Sequence, residues 1–226
     1  MPIAITVDVK NMNPTVKTLG QVEYATTFAA MRDHNAVSTA ATPDEFWLLE
    51  HPPVFTQGLA GKPEHLLDPG PIPVVKIDRG GQVTYHGPGQ LVIYLLLNMH
   101  SQRIAALGGK RGYGVKSLVN RIEQSLIDLL AEYDVDGFRR SGMPGVYVNQ
   151  ADGVAKIAAI GLRVANHATY HGLALNVDMD LAPFKRINPC GYEGLMVTQM
   201  RDLGIPDKMD VLANKLVVHL KENFYG

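Results

Sequence analysis

The chain has one cysteine, Cys190, and one tryptophan in 226 residues. One cysteine forms no internal disulfide, and one cysteine with eight scattered histidines lacks the ligand spacing of a zinc site. Neither sign of charge dominates: 21 basic side chains stand against 22 acidic ones, for a net charge of −1. The strongly basic face that non-specific nucleic-acid binding requires is therefore not expected. Long apolar runs are missing as well. The longest, Leu91 to Leu97, falls far short of the roughly 20 residues of a membrane-spanning helix. Met1 to Asp8 has neither a basic start nor a long apolar segment, so no signal peptide is expected. Apolar residues make up 46% of the chain, enough for a core at ordinary domain size. The expectation is one domain over residues 1–226, a monomer in a reducing cytoplasm, without metal or other cofactor.

Two helices are legible from apolar spacing. From Val115 to Tyr133, Leu118, Val119, Ile122, Leu126, Leu129 and Leu130 recur at helical intervals, with Arg121, Glu123, Gln124 and Asp128 on the other side. Val211, Leu212, Leu216, Val217 and Leu220 repeat the pattern near the end, where Asp207 or Asp210 could cap the helix. A third helix is expected over about Val22 to Ala40. Between them, β-type runs follow one another: Phe46 to Leu49, Val54 to Thr56, Ile72 to Ile77, Gln82 to His86, Leu91 to Leu97 and Val146 to Val148. Val154 to Val164 and Thr169 to Val177 read as a hairpin turning at Asn166-His167. Parallel pairs need long crossovers, so strands this closely spaced predict an α+β fold with a mixed, mostly antiparallel central sheet and packed helices.

Three segments carry chemistry-bearing residues. Arg79-Gly80-Gly81-Gln82-Val83-Thr84-Tyr85-His86 continues into Gly87-Pro88-Gly89-Gln90. Its glycines suit a plain hairpin, yet the polar groups are dense for a turn. Its spacing matches neither a Walker loop nor a dinucleotide fingerprint. In the second segment Lys156 shares one strand face with Val154, Ala158 and Ile160, while Ala155, Ile157 and Ala159 take the other. Such a lysine either snorkels to water or is held at a closed site. The third segment is Asn188-Pro189-Cys190-Gly191-Tyr192. A lone cysteine is usually an inert core residue; here the turn residues around it put the thiol in a tight loop, where a nearby cation or base would activate it. His86 and His171 are the candidates for a Cys/His pair.

Together these segments resemble the octanoyltransferase family of lipoate synthesis. The resemblance rests on Glu50 to Gly58, Arg79 to Gln90, Gly145 to Val148, Lys156 with Gly161-Leu162-Arg163, His171 to Val177 and Asn188 to Tyr192. Lysine and cysteine are 34 residues apart. Matching motifs run from about Phe46 to Leu195. The family implies a fold like the catalytic domains of biotin and lipoate protein ligases. It implies transfer of an octanoyl group from octanoyl-acyl carrier protein to a specific lysine. The acceptors would be lipoyl domains of oxo-acid dehydrogenase E2 subunits and of the glycine cleavage H protein. Carried over, Cys190 is the acyl-thioester nucleophile and Lys156 the residue that activates it, with His86 and His171 left to shape the site. Arg79, Gly80, Gly81, Gln82, Val83, Thr84, Tyr85, His86, Ala159, Ile160, Gly161, Gly172, Leu173 and Ala174 would line the acyl substrate site. Backbone N–H groups of the Cys190-Gly191 turn are expected to stabilise the oxyanion. Arg32, Lys62, Lys110, Arg111, Arg139, Arg140 and Arg163 are candidates for contact with an acidic carrier.

Two other readings compete. An ATP-dependent lipoate or biotin ligase would need no nucleophilic cysteine, and its loop would hold more arginines than Arg79 alone. A binding module for acyl carrier or lipoyl domains would need neither Cys190 nor Lys156. A requirement for ATP distinguishes the first, and the absence of any acyl adduct the second.

Overall fold

A computed structural model describes residues 13–100 and 114–226. Met1 to Asp8, Lys110 and Arg111 lie outside the described residues. The strands are β1 (Thr15–Gln21), β2 (Glu45–Glu50), β3 (Val54–Gln57), β4 (Val74–Lys76), β5 (Val83–His86), β6 (Gln90–Leu96), β7 (Gly137–Arg140), β8 (Met143–Gln150), β9 (Gly153–Ala165), β10 (Ala168–Asn176) and β11 (Met196–Val197). The helices are α1 (Tyr24–Ala36), α2 (Val115–Ala131) and α3 (Met209–Tyr225). The larger sheet has the order β1-β2-β6-β10-β9-β8-β7, and β11 pairs with β9. The smaller sheet is β4-β3-β5. Pairing is antiparallel except at β1–β2, β3–β4 and β11–β9.

Alternation along the central strands buries the larger sheet on both faces. Phe46 and Leu48 of β2 join Leu91, Ile93 and Leu95 of β6 in the main core under α2 and α3. Their neighbours Trp47, Leu49, Val92, Tyr94 and Leu96 enter a second cluster with Met31 of α1. Tyr24 of α1 also packs on Val54 and Ile77 of the smaller sheet's side. The β9–β10 hairpin turns at Asn166 and His167, both with positive φ, as a two-residue loop between twisted strands demands.

Several expectations are corrected. Glu123 is not on a solvated face: it is 5% exposed, accepting Arg139 Nε and the Gly145 N–H at 3.0 Å each. Neither Asp207 nor Asp210 caps α3, whose capping position is Lys208 without a side-chain bond. The Asp207 carboxylate instead accepts the Tyr133 hydroxyl at 2.5 Å and pairs with Lys215. Val211 points outward, while Leu212, Leu216, Val217 and Leu220 are buried. Strict alternation also fails in β9. Pairing with β8 passes from Val146↔Ala158 to Tyr147↔Lys156, a bulge that puts both Ile157 and Ala158 in the main core.

Leu216 is fully buried where α3 meets that core. Leu216→Ala is expected to lower unfolding free energy by about 2–5 kcal/mol, read as an earlier urea midpoint with an unchanged slope.

Candidate active site

The fold brings Lys156 and Cys190 together. Lys156 Nζ lies 2.9 Å from Cys190 Sγ and donates to the Pro144 carbonyl at 2.7 Å. The lysine is 4% exposed and has no carboxylate within ion-pair distance among the described residues. Its ammonium sits 5.3 Å from the centre of the Tyr147 ring, and the Arg140 guanidinium lies 5.5 Å from that centre. Gly145, opposite, leaves the lane for the lysine stem: a Cβ there would fall 2.5 Å from Lys156 Cε and 2.4 Å from the Ala158 carbonyl. The Gly145 backbone is held by Glu123.

Cys190 sits in a 3-10 turn, Pro189–Gly191, with φ +58°, a left-handed conformation costing a non-glycine residue about 1–2 kcal/mol. The turn is tied by Asn188 N–H to His65 O, Gly191 N–H to Asn188 O and Tyr192 N–H to Pro189 O. Beyond it the chain returns to β9 as β11, pairing Val197 with Lys156, and Thr198 N–H binds the Lys156 carbonyl. The thiol and the amine are thus linked by a short loop as well as by their own contact. The Gly191 N–H, expected to serve an oxyanion, is already committed within the turn.

Cys190 faces a cavity of about 280 Å³. Its floor follows from strand register. Val92, Ala174, Ala159 and Gly145 form one cross-strand row, and Tyr94, Gly172 and Gly161 the next. Small side chains at the middle of both rows leave a slot on an otherwise packed sheet. Of the expected lining residues, Arg79, Gly80, Gly81, Gln82, Val83, Thr84, His86, Ala159, Ile160, Gly161, Gly172, Leu173 and Ala174 all border this cavity. Tyr85 does not. It alternates to the far side of β5 and packs on Phe55 and Phe184. Lys156 borders a second, much smaller space of about 10 Å³, which Cys190 also borders.

The deep wall is a polar cluster. Arg79, 8% exposed, donates to Thr56 O and Oγ1 and to Gly80 O, with no carboxylate in ion-pair range among the described residues. His51 contacts the Tyr94 hydroxyl at 2.6 Å, and His86 contacts Gln90 at 2.7 Å. His171 has φ +62°; it stacks on Phe28 and meets Asp78 at 3.2 Å. Neither His86 nor His171 is hydrogen-bonded to Cys190, so no Cys/His pair forms. His65, which carried no motif, is the histidine nearest the turn, and Asn188 Nδ2 reaches it at 3.5 Å. Burial lowers His51 to about 4, His86 to about 3 and His171 to about 4. Among the described residues no cluster could hold a metal ion, and no helix is long and apolar enough to cross a membrane.

A family model described as the lipoyl protein ligase A/B catalytic domain matches residues 23–221. The chain belongs to that family. The match extends past the Phe46 to Leu195 motif range on both sides. An octanoyltransferase of Dechloromonas aromatica is 57% identical over 209 residues, covering 92% of this chain and 96% of that one. An octanoyltransferase of Nitrosomonas europaea is 56% identical over 202 residues, covering 89% and 93%. The chain is accordingly a member of the octanoyltransferases, an acyltransferase enzyme. A solved lipoate-protein ligase A bound with ATP shares its fold at TM-score 0.71 and 15% identity, covering 94% of this chain and 85% of that one. A biotin protein ligase from Aquifex aeolicus, in complex with biotin and ATP, follows at 0.56 and 13%, covering 93% and 70%. These likenesses carry the fold, α+β with a mixed sheet, as the strand spacing predicts.

Three histidines held neutral by burial set a pH dependence. Their folded pKa values lie below the ordinary value near 6.5, so the unfolded chain binds more protons between about pH 4 and 6.5. Stability is complete above that window and falls as pH drops through it. The lowered Asp78 carboxyl, bonded to Tyr170 and His171, acts in the same direction at lower pH. Urea unfolding followed from pH 7 to pH 4.5 is expected to show the loss, with up to about three protons taken up by these groups on unfolding.

Proposed function

We propose that the enzyme moves an octanoyl group from octanoyl-acyl carrier protein to a specific lysine of a lipoyl domain, by way of a thioester on Cys190. The observation that carries this reading is the 2.9 Å contact between Lys156 Nζ and Cys190 Sγ at the wall of an apolar-floored cavity. An ammonium donating to sulfur favours the thiolate, which is the nucleophile. The thiolate attacks the donor carbonyl, and the bond to the carrier's thiol breaks. That departing thiolate takes the Lys156 proton. One thioester replaces another at nearly constant free energy.

Acylation removes the negative partner of Lys156 and leaves the amine neutral in a dry site. When the acceptor amine attacks, the C–S bond to Cys190 breaks, Lys156 accepts the amine's proton, and the ammonium again faces a thiolate. The starting state is restored. Amide formation from a thioester is downhill, so the cycle closes without ATP. The slot over Ala159 and Ala174 suits an alkyl chain, and the free thiol suits a reducing cytoplasm.

Incubation with octanoyl-acyl carrier protein, without ATP, is expected to add one octanoyl mass that hydroxylamine removes. Cys190→Ala abolishes the adduct; an adduct that persists in that variant places the acyl group elsewhere. Lys156→Ala is expected to keep the fold, judged by its unfolding transition, while losing both half-reactions. Normal acylation in that variant rules out the activating role.

A further inference from the structure

We infer that Gln82 is a catalytic residue whose side-chain N–H stabilises the oxyanion formed during acyl transfer at Cys190. The inference rests on the proposed acyl-thioester. A tetrahedral intermediate at the thiol develops negative charge on the former carbonyl oxygen, and a site needs donors aimed there. The turn supplies fewer than its length suggests. Pro189 has no N–H, and the N–H groups of Gly191 and Tyr192 bind Asn188 O and Pro189 O. That leaves the Cys190 N–H, which donates to no acceptor among the described residues. One donor is fewer than acyl-transfer sites commonly present.

Gln82 borders the same cavity as Cys190. A Cβ built on Gly191 would lie 3.2 Å from Gln82 Cγ and 3.4 Å from Gln82 Cδ, so the carboxamide stands against the residue next to the thiol. Its orientation is decided by the backbone: Lys62 N–H is bonded to Gln82 Oε1 at 3.1 Å. A backbone N–H can face only the oxygen of an amide, so the oxygen is engaged and the NH2 group is left over. No acceptor is bonded to that nitrogen among the described residues. Gly191, at φ +80°, carries no side chain to come between the amide and the turn. In the step itself the thiolate forms its bond to carbon as the C=O pair moves onto oxygen. The Cys190 N–H and Gln82 Nε2–H hold that charge until the leaving thiolate departs and the carbonyl reforms.

The test compares the unaltered enzyme, Gln82→Met and Gln82→Ala in two measurements. One is the rate at which octanoyl-acyl carrier protein acylates Cys190, read by intact mass in a single turnover. The other is the rate of Cys190 alkylation by iodoacetamide, which forms no oxyanion. Acylation is expected to fall about 100- to 1,000-fold in both variants, with alkylation unchanged. Acylation at the unaltered rate overturns the inference. So does alkylation that falls in step with acylation, since that marks Gln82 as a support for the turn. If the unaltered enzyme takes up no octanoyl group, the thioester reading itself fails and this inference with it. If it acylates normally and only the Gln82 result is negative, the thioester reading stands.

Discussion

An ammonium group taken out of water and given no carboxylate is the constraint around which the site is arranged. The desolvation of such a charge costs several kcal/mol unless other groups replace the water. Lys156 receives three replacements: the Pro144 carbonyl, the face of Tyr147 and the Cys190 sulfur. Two come from β8 and the third from the Pro189–Gly191 turn, and further devices hold them in place. Gly145 opens the path, Glu123 ties down the Gly145 backbone, and β11 clamps Lys156 from its other edge. The sulfur is the one of the three that chemistry can change. Lys156 and Cys190 both border the small space beside the main cavity.

The same strands solve a second problem, open space within a packed sheet. A sheet buried on both faces ordinarily fills its space with branched side chains, as β6 does. At the β9 and β10 positions of two adjacent rows, the larger sheet has Ala159, Ala174, Gly161 and Gly172 instead. The cavity is therefore a gap in packing set by register. It costs stability that the main core under α2 and α3 supplies from the opposite face. Site and core are back to back on one sheet.

How far this was legible in the sequence depends on how local each signal is. The three helices and the central strands follow from periodicity, and the Asn166-His167 turn from the spacing of two strands; β1 and β7, at the ends of the larger sheet, gave no such signal. Lys156 stood out because both faces of its strand are apolar. The bulge at Ile157 did not, since a bulge leaves alternation intact on either side and shows only as a partner mismatch. Glu123 looked solvated because helical spacing cannot see that Arg139 and the Gly145 N–H wait beneath it. Tyr85 was assigned to the cavity with its neighbours, although alternation along β5 carries it to the other side. The meeting of Lys156 with Cys190 depends on β11, two residues long with no pattern of its own, so only the family resemblance pointed to it.

Backbone strain gives the last connection. Among the described residues five non-glycine residues have positive φ, and Asp134, Asn166 and His167 occupy turns where that conformation is ordinary. The other two, Cys190 and His171, both border the cavity. At His171 the left-handed bend puts consecutive side chains on one side: Tyr170 and His171 both reach Asp78. At Cys190 it belongs to a turn held by three backbone bonds. Glycine would satisfy either backbone more cheaply, and glycine follows at both positions, as Gly172 and Gly191. A chain optimised for stability alone would have no reason to place a thiol and an imidazole there. At both positions the side chain is turned to the cavity at the cost of local backbone preference.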